Sequence, residues 1–294
     1  PGGAGPVIGP TPIPAPAAEP SGGPRPWGLW VGIGLLATLV ALVILYPLLS
    51  PVDPTFESIA GLTELGEPLP IGSDGYPLGT DPRGRDMLAR TIYAGGLTML
   101  TALTAVAIAT VAGVAVGLLA ANSRAFAGSV LMRFTDLGLA IPGLLLAASF
   151  STILGRGTFA LIVGLAAVFW APIARVTYGQ AIVLRERDYV EAARVMGGGT
   201  RTVLLRHILP HLLPVVGAYA ALSVGWAVLF ESALGFLGAG VQEPEASIGS
   251  MLEAHRSYYR SHPALILIPA VFLVVLVMAA NLAGEALRTR NEER

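Results

Sequence analysis

Side chains able to do chemistry are scarce in this chain of 294 residues, and the useful ones cluster. There is no cysteine, which excludes disulfides and thiolate chemistry. Every basic residue is arginine. Without lysine the chain has neither a phosphate-loop lysine nor a Schiff base, so any nucleotide site belongs to another subunit. His207 and His211 stand at the i, i+4 spacing that suits a metal on a helix face. Pro210 falls between them and no acid or third ligand is near in sequence, so no metal site is assigned. Nothing resembles a nucleophile, base and acid acting together, and no catalytic residue is assigned. What remains is Asp188 to Pro214, DYVEAARVMGGGTRTVLLRHILPHLLP, a basic island between apolar runs. It reads as two short helices broken at Gly197-Gly198-Gly199. Its chemistry is contact. Ala192 and Ala193 let a partner's surface approach closely, and Glu191 and Arg194 are placed for ion pairs across a wet interface. Gly197 supplies the bend, and Pro210 ends the second helix before the next apolar run. An ordinary basic loop lying on anionic lipid fits the same residues. Both readings stand on the residues alone.

The elements that hold this island are apolar. The chain is 54% hydrophobic and only 13% charged, against about a quarter in soluble domains, and its mean hydropathy is +0.69. It reads as an all-α integral membrane protein. A formal net charge of −1 gives no argument for nucleic acid. Residues 1–26, rich in Pro, Gly and Ala, cannot bury enough surface to offset their ordering entropy and read as a disordered tail. Six apolar runs follow, at about 27–49, 97–121, 129–151, 158–178, 212–232 and 263–284. Each is long enough at 1.5 Å per residue to cross a hydrocarbon core of about 30 Å. The third is the weakest, because Arg133 and Asp136 sit near its start.

With six spans both termini share a side. That side receives the arginines from Arg175 to Arg206 together with Arg25, Arg124, Arg133 and Arg288. Loop 51–95 and the last loop, 234–262, are rich in acids instead. The positive-inside rule therefore puts segment 180–211, the tail 289–294 and both termini in the cytoplasm. In loop 51–95, Asp86 is a candidate cap for a helix starting at Met87. Arg83, Arg85 and Asp86 are the charged candidates for a site on this loop. Glu231 is the most deeply placed acid; it either lines the pathway or is a helix-end acid held by neighbours, and the second reading is favoured. Asp136, three residues after Arg133, reads as half of a local ion pair. Gly113 and Gly117 form a weak small-xxx-small signal for helix contact. His255 and His262 read as solvated loop residues.

The island also resembles the EAA loop of ABC importer permeases: EAA, three residues, Gly, nine residues, Ile, one residue, Leu-Pro. Glu191, Ala192, Ala193, Gly197, Leu209 and Pro210 fit in register, with His207 at the Ile position. The HILP variant and the preceding Asp188-Tyr189 resemble the dipeptide, oligopeptide and nickel branch. So do LGTDPRGRDMLAR at 78–90, MRFTDLGLAIPGLLLA at 132–147, ALGFLGAGVQ at 233–242 and NLAGEALR at 281–288, all in the family's order over residues 27–288. The chain is most similar to the C-type permease subunit. Gly96 and Ile248 depart from the family's habits, as does the TRNEER end. The resemblance implies a type I permease fold in the cytoplasmic (inner) membrane of a prokaryote, importing short peptides. Nickel, haem or another small ligand is the alternative within the family. It implies a second, homologous permease, two ATPase subunits (or one fused) that bind ATP and Mg, and an extracytoplasmic binding protein, with no cofactor in this chain. For Arg83, Arg85 and Asp86 the resemblance implies an outer gate or a binding-protein contact. An ion-coupled secondary transporter would need ionisable groups or broken helices in matching halves, and the spans are almost free of charge.

Overall fold

A computed structural model describes residues 26–292; the Pro/Gly/Ala-rich stretch 1–25 and the last two residues lie outside them. Among the described residues the chain is helical apart from loops and isolated bridges. Helix α1 spans Pro26–Leu49, α2 Met87–Asn122, α3 Ala125–Ala140, α4 Gly143–Leu154 and α5 Thr158–Arg185. Then come α6 (Asp188–Val195), α7 (Thr200–Thr202), a π-helical turn (Val203–Ile208), α8 (Leu209–Phe236), α9 (Ile248–His255) and α10 (Ala264–Glu292). Among the described residues five helical runs are long and apolar enough to cross a membrane, and the α3–α4 pair makes six if it is one span.

The third span was expected as one helix over 129–151; it is two, bent by 88°. The break falls at Ile141-Pro142. Proline lacks a backbone N–H and biases the residue before it to extended geometry, and Ile141 adopts φ −81°, ψ 129°. Helix α2 starts ten residues before the expected span, at Met87, because Asp86 caps it by accepting from the Leu88 and Ala89 amides. Its 36 residues rise about 54 Å, so it outruns the roughly 30 Å core and reaches into the loops at one end. Helix α10 likewise runs on to Glu292, through the stretch read as a tail.

The core lies where α2 crosses α5. A Cβ at Gly113 would sit 2.7 Å from the Trp170 carbonyl oxygen, and one at Gly117 2.6 Å from that of Ala174. The weak small-xxx-small signal therefore marks a principal helix contact. Ala105, Ala109, Leu165, Ile173 and Val228 fill the same buried cluster. Helix α1 is mostly exposed and rests on α10, Gly32 against Leu282. Loop 50–86 folds over the end opposite α6.

Candidate functional site

Helix α6 is amphipathic because it has one core to face. Val190 and Ala193 are buried in the main apolar cluster, while Glu191, Ala192 and Arg194 are exposed. Asp188 and Glu191 lie in its first turn and Arg194 in its last, the arrangement the helix dipole favours. The expectation that both alanines face a partner needs correction. Ala192 is exposed, but Ala193 packs inward, since one face of an eight-residue helix must cover the core.

The stop after α6 is fully determined. Gly197 donates to the Arg194 carbonyl and Gly198 to that of Ala193, the two bonds of a Schellman turn. Gly197 has φ +86°, where a side chain would be strained. Val195 and Met196, 82% and 81% exposed, form an apolar tip beside this turn. Sequence reasoning passed over both; the signal was two large apolar residues immediately before a glycine run in a polar stretch.

Pro210 does not end the second helix. The run continues from Thr200 to Phe236, and the π-helical turn, in which Leu209 donates to the Leu204 carbonyl, leads into Pro210 at the start of α8. His211 donates through Nδ1 to the His207 carbonyl oxygen at 2.9 Å, and its ring packs on Tyr189 at 5.2 Å between centroids. Tyr189 and His211 thus tie α6 to α8. Leu209 is half-buried against the core, and His207 is half-buried on the same turn. A cavity of about 400 Å³ flanks α6, lined by Tyr178, Arg185, Glu186 and Arg194 among others.

The other end carries an ion-pair cluster. Asp81, with no exposed surface, accepts from the Arg83 and Arg85 amides and from Arg85 Nε at 2.6 Å. Glu243, from the last loop, meets Arg85 at 3.2 Å, Arg90 at 3.4 Å and Arg83 at 2.5 Å. Glu57 adds a 3.0 Å pair to Arg83, and Arg90 reaches the Pro54 carbonyl. Three arginines and three carboxylates balance, which is what permits such burial. The carboxylate of Glu57, then that of Glu243, holds the Arg83 guanidinium above its ordinary pKa. The expected surface trio is thus divided. Arg83 is exposed, but Arg85 is enclosed by Asp81 and Glu243, and Asp86 is occupied as the α2 cap. His255, read as a solvated loop residue, is buried beside this cluster, and loss of water around its ring pushes its pKa down to about 4.

Glu231 lies between the two ends, fully buried near the far end of α8. Its carboxylate faces the hydroxyls of Ser247, Thr98 and Ser232, the last at 3.4 Å. Ser247 caps α9 by accepting from Ser250, and Thr98 accepts from the Ile248 amide at 3.1 Å. The acid therefore sits under the N-terminus of α9, among hydroxyls of three neighbouring residues. Gly249 touches the Ser232 backbone so closely that a Cβ there would overlap it. This geometry matches the helix-end reading. Asp136 pairs with Arg175 of α5 and not with Arg133, because the turn of α3 aims it across the helix contact.

Comparison with known proteins agrees with this architecture. The family described as binding-protein-dependent transport system inner membrane component matches residues 113–293. A putative peptide permease protein of Brucella suis is 34% identical over 90% of this chain and 86% of its own length. The di/tripeptide transport system permease protein DppC of Pseudomonas aeruginosa is 35% identical, covering 87% of this chain and 85% of that protein. The oligopeptide transport system permease protein OppC of Haemophilus influenzae is 33% identical over 73% and 70%. Among solved structures, an inward-facing conformation of the MetNI methionine ABC transporter superposes with a TM-score of 0.58 at 21% identity, covering 70% of this chain and 97% of that one. At that identity the likeness speaks for the fold alone, the type I permease fold.

Proposed function

Because the chain belongs to the family of binding-protein-dependent transport inner membrane components, we propose that it is the C-type permease subunit of an ABC importer for short peptides. It resides in the cytoplasmic membrane with both ends inside. Its pathway is completed by a homologous permease. Of two ATPase subunits, which bind ATP and Mg, one seats on α6 and the other on the second permease, and an extracytoplasmic binding protein delivers peptide to the acidic-loop end. The chain itself carries no ATPase site.

One observation carries this reading: α6 projects Glu191, Ala192, Arg194 and the Val195-Met196 tip into solvent while staying mechanically joined to a spanning helix. A solvated orienting loop has no need of a buried inner face, a fixed Schellman stop and a Tyr189–His211 tie. ATP-driven closure of the motor pair displaces α6. The helical run from Thr200 carries that displacement along α8, about 42 Å for its 28 residues, to Glu231 and α9. There Arg85, paired with Asp81 and Glu243, holds the outer loops together as part of the gate, Asp86 fixes the start of α2 beside it, and Arg83, exposed at its rim, is the contact for the binding protein.

Glu191→Arg tests the motor contact. The variant chain should still reach the membrane but lose ATPase co-purification and at least ten-fold of ATP-dependent peptide uptake. Full uptake with Arg at this position refutes the docking role.

A further inference from the structure

The cavity of about 400 Å³ beside α6 is walled by four helices, and its cations have nothing to bind. Arg185 reaches it from the end of α5 and Arg194 from α6. Among the described residues neither guanidinium makes an ion pair or a hydrogen bond, and Glu186 on the same rim pairs with neither. Ser123 and Gly128, on either side of the start of α3, line it too. That 16-residue helix begins at Arg124 with no side-chain cap, so its first amides are left open. Two guanidinium groups, one carboxylate and an uncapped helix start give the walls a surplus of positive charge.

Such walls take an anion. The planar fork of arginine matches phosphate oxygens, and an open helix start favours the same charge. Position along the helices selects the source. The expected spans 97–121 and 158–178 end at Ala121 and Tyr178, and both residues line the cavity. It therefore sits just past the hydrocarbon, at the level of the headgroups, where a tyrosine is at home. Leu119, Phe126 and Val183, one or two residues from lining positions, are exposed, which suits acyl chains alongside. A soluble anion gains nothing from that apolar border, whereas basic pockets between spanning helices take anionic lipid headgroups.

We propose that this cavity binds the phosphate of an anionic phospholipid, with Arg185 and Arg194 as its two arms. The lipid then supplies a tie that the chain lacks: among the described residues no side-chain hydrogen bond or ion pair joins α5 to α6. On the importer reading above, α6 carries the motor contact, so a bound headgroup stiffens the link between motor and spans. That consequence rests on the importer reading; the lipid site itself does not.

The chain has no cysteine, so a single introduced thiol reports on the cavity alone. Ser123→Cys lies on its wall, and Gly199→Cys, exposed with open space around it, is the control at the same end. Each is placed in the assembled transporter in phosphatidylcholine vesicles with rising fractions of phosphatidylglycerol, and the rate of reaction with N-ethylmaleimide is followed. Phosphatidylglycerol should slow the reaction of Ser123→Cys by about five-fold or more and leave Gly199→Cys unchanged. Adding Arg185→Gln should raise the phosphatidylglycerol fraction needed for half protection about five-fold, the share of one arginine at an anionic surface. Arg185→Lys, which keeps the charge, should recover most of that protection. Arg201→Gln, at an exposed arginine outside the cavity, should change nothing. Protection by inorganic phosphate in pure phosphatidylcholine, with none from phosphatidylglycerol, makes this a soluble-anion site and overturns the lipid assignment. Full protection already in phosphatidylcholine means that a neighbouring subunit fills the cavity, and equal fast labelling in every vesicle means that nothing does; either overturns the proposal. If the same vesicles hydrolyse no ATP, the importer reading fails separately, and the thiol rates still decide the lipid site.

Discussion

Acidifying the outer side is a perturbation for which the fold sets both a direction and a size. His255 ends α9 with 2% of its surface exposed, and its Nδ1 has no partner among the described residues. Loss of water is the largest influence on the ring; Asp81 and Glu243 favour its protonation, and Arg90 and Arg85 oppose it. The result is a pKa of about 4 against an ordinary 6.5. An unfolded chain therefore takes up this proton near pH 6.5, and the native one only near pH 4. Between those limits the unfolded state holds the extra proton, so stability rises with pH and is lost as pH falls, by about 1.4 kcal/mol per pH unit. Going from pH 7.5 to 5.5 crosses about one unit of that window. The expected loss is about 1.4 kcal/mol, or roughly 2–4 °C in Tm for a protein of this size. The assay is thermal unfolding of the purified complex at both pH values, for wild type and for His255→Gln. Carboxylates titrate in both proteins, so the difference between the two profiles isolates the imidazole. Wild type should lose those extra degrees on acidification relative to the variant. Parallel profiles would refute the buried, neutral imidazole.

Gly197→Ala meets no atom within 4 Å, so its cost is the φ of +86° alone, about 1 kcal/mol. Peptide uptake should fall two- to five-fold with ATPase co-purification retained. Gly117→Leu must push α5 away from the Ala174 carbonyl, costing roughly 1–3 kcal/mol or more; membrane yield should drop, while Gly217→Ala, with open space around it, leaves yield unchanged. Glu231→Ala leaves the hydroxyls of Thr98 and Ser247 facing a void under α9, a loss of about 1–3 kcal/mol. Amide exchange over 248–255 should quicken about ten-fold, and Glu231→Gln, which keeps acceptor and volume, should restore most of the protection.

What was legible in the sequence was what depends on neighbours along the chain. Uncharged runs long enough to span gave α1, α5, α8 and α10, and the Asp86 cap and the Gly197 stop were local signals read at the right residues. What escaped depends on partners far apart in sequence. Asp136 reads as the neighbour of Arg133 because three residues separate them; the structure joins it to Arg175, thirty-nine away. Arg85 looked like surface until Glu243, 158 residues distant, closed over it. Ala193 could not be distinguished from Ala192, because which side of a short helix is buried is set by the body it rests on. Pro142 was visible, yet its 88° bend follows from where α4 packs, not from proline alone.

The two ends are coupled through a single element, and its ends differ in stiffness. At the Glu231 end, Gly235 and Gly249 bring the α8 and α9 backbones into contact, and the carboxylate sits among three hydroxyls. Nothing there can shift without separating buried polar groups, so α9 follows α8. At the α6 end a π-helical turn intervenes, Pro210 contributes no amide hydrogen, and a cavity lies beside the short helix. Give is therefore concentrated next to α6 and rigidity next to the outer loops. An importer driven from below benefits from that order. A docking surface must tolerate the changing orientation of its motor, whereas a gate closed by an ion-pair network must open as one piece. With Asp81 and Glu243 each shared among several arginines, releasing one pair strains the others. On the importer reading proposed above, the network turns a gradual push along α8 into an all-or-none opening.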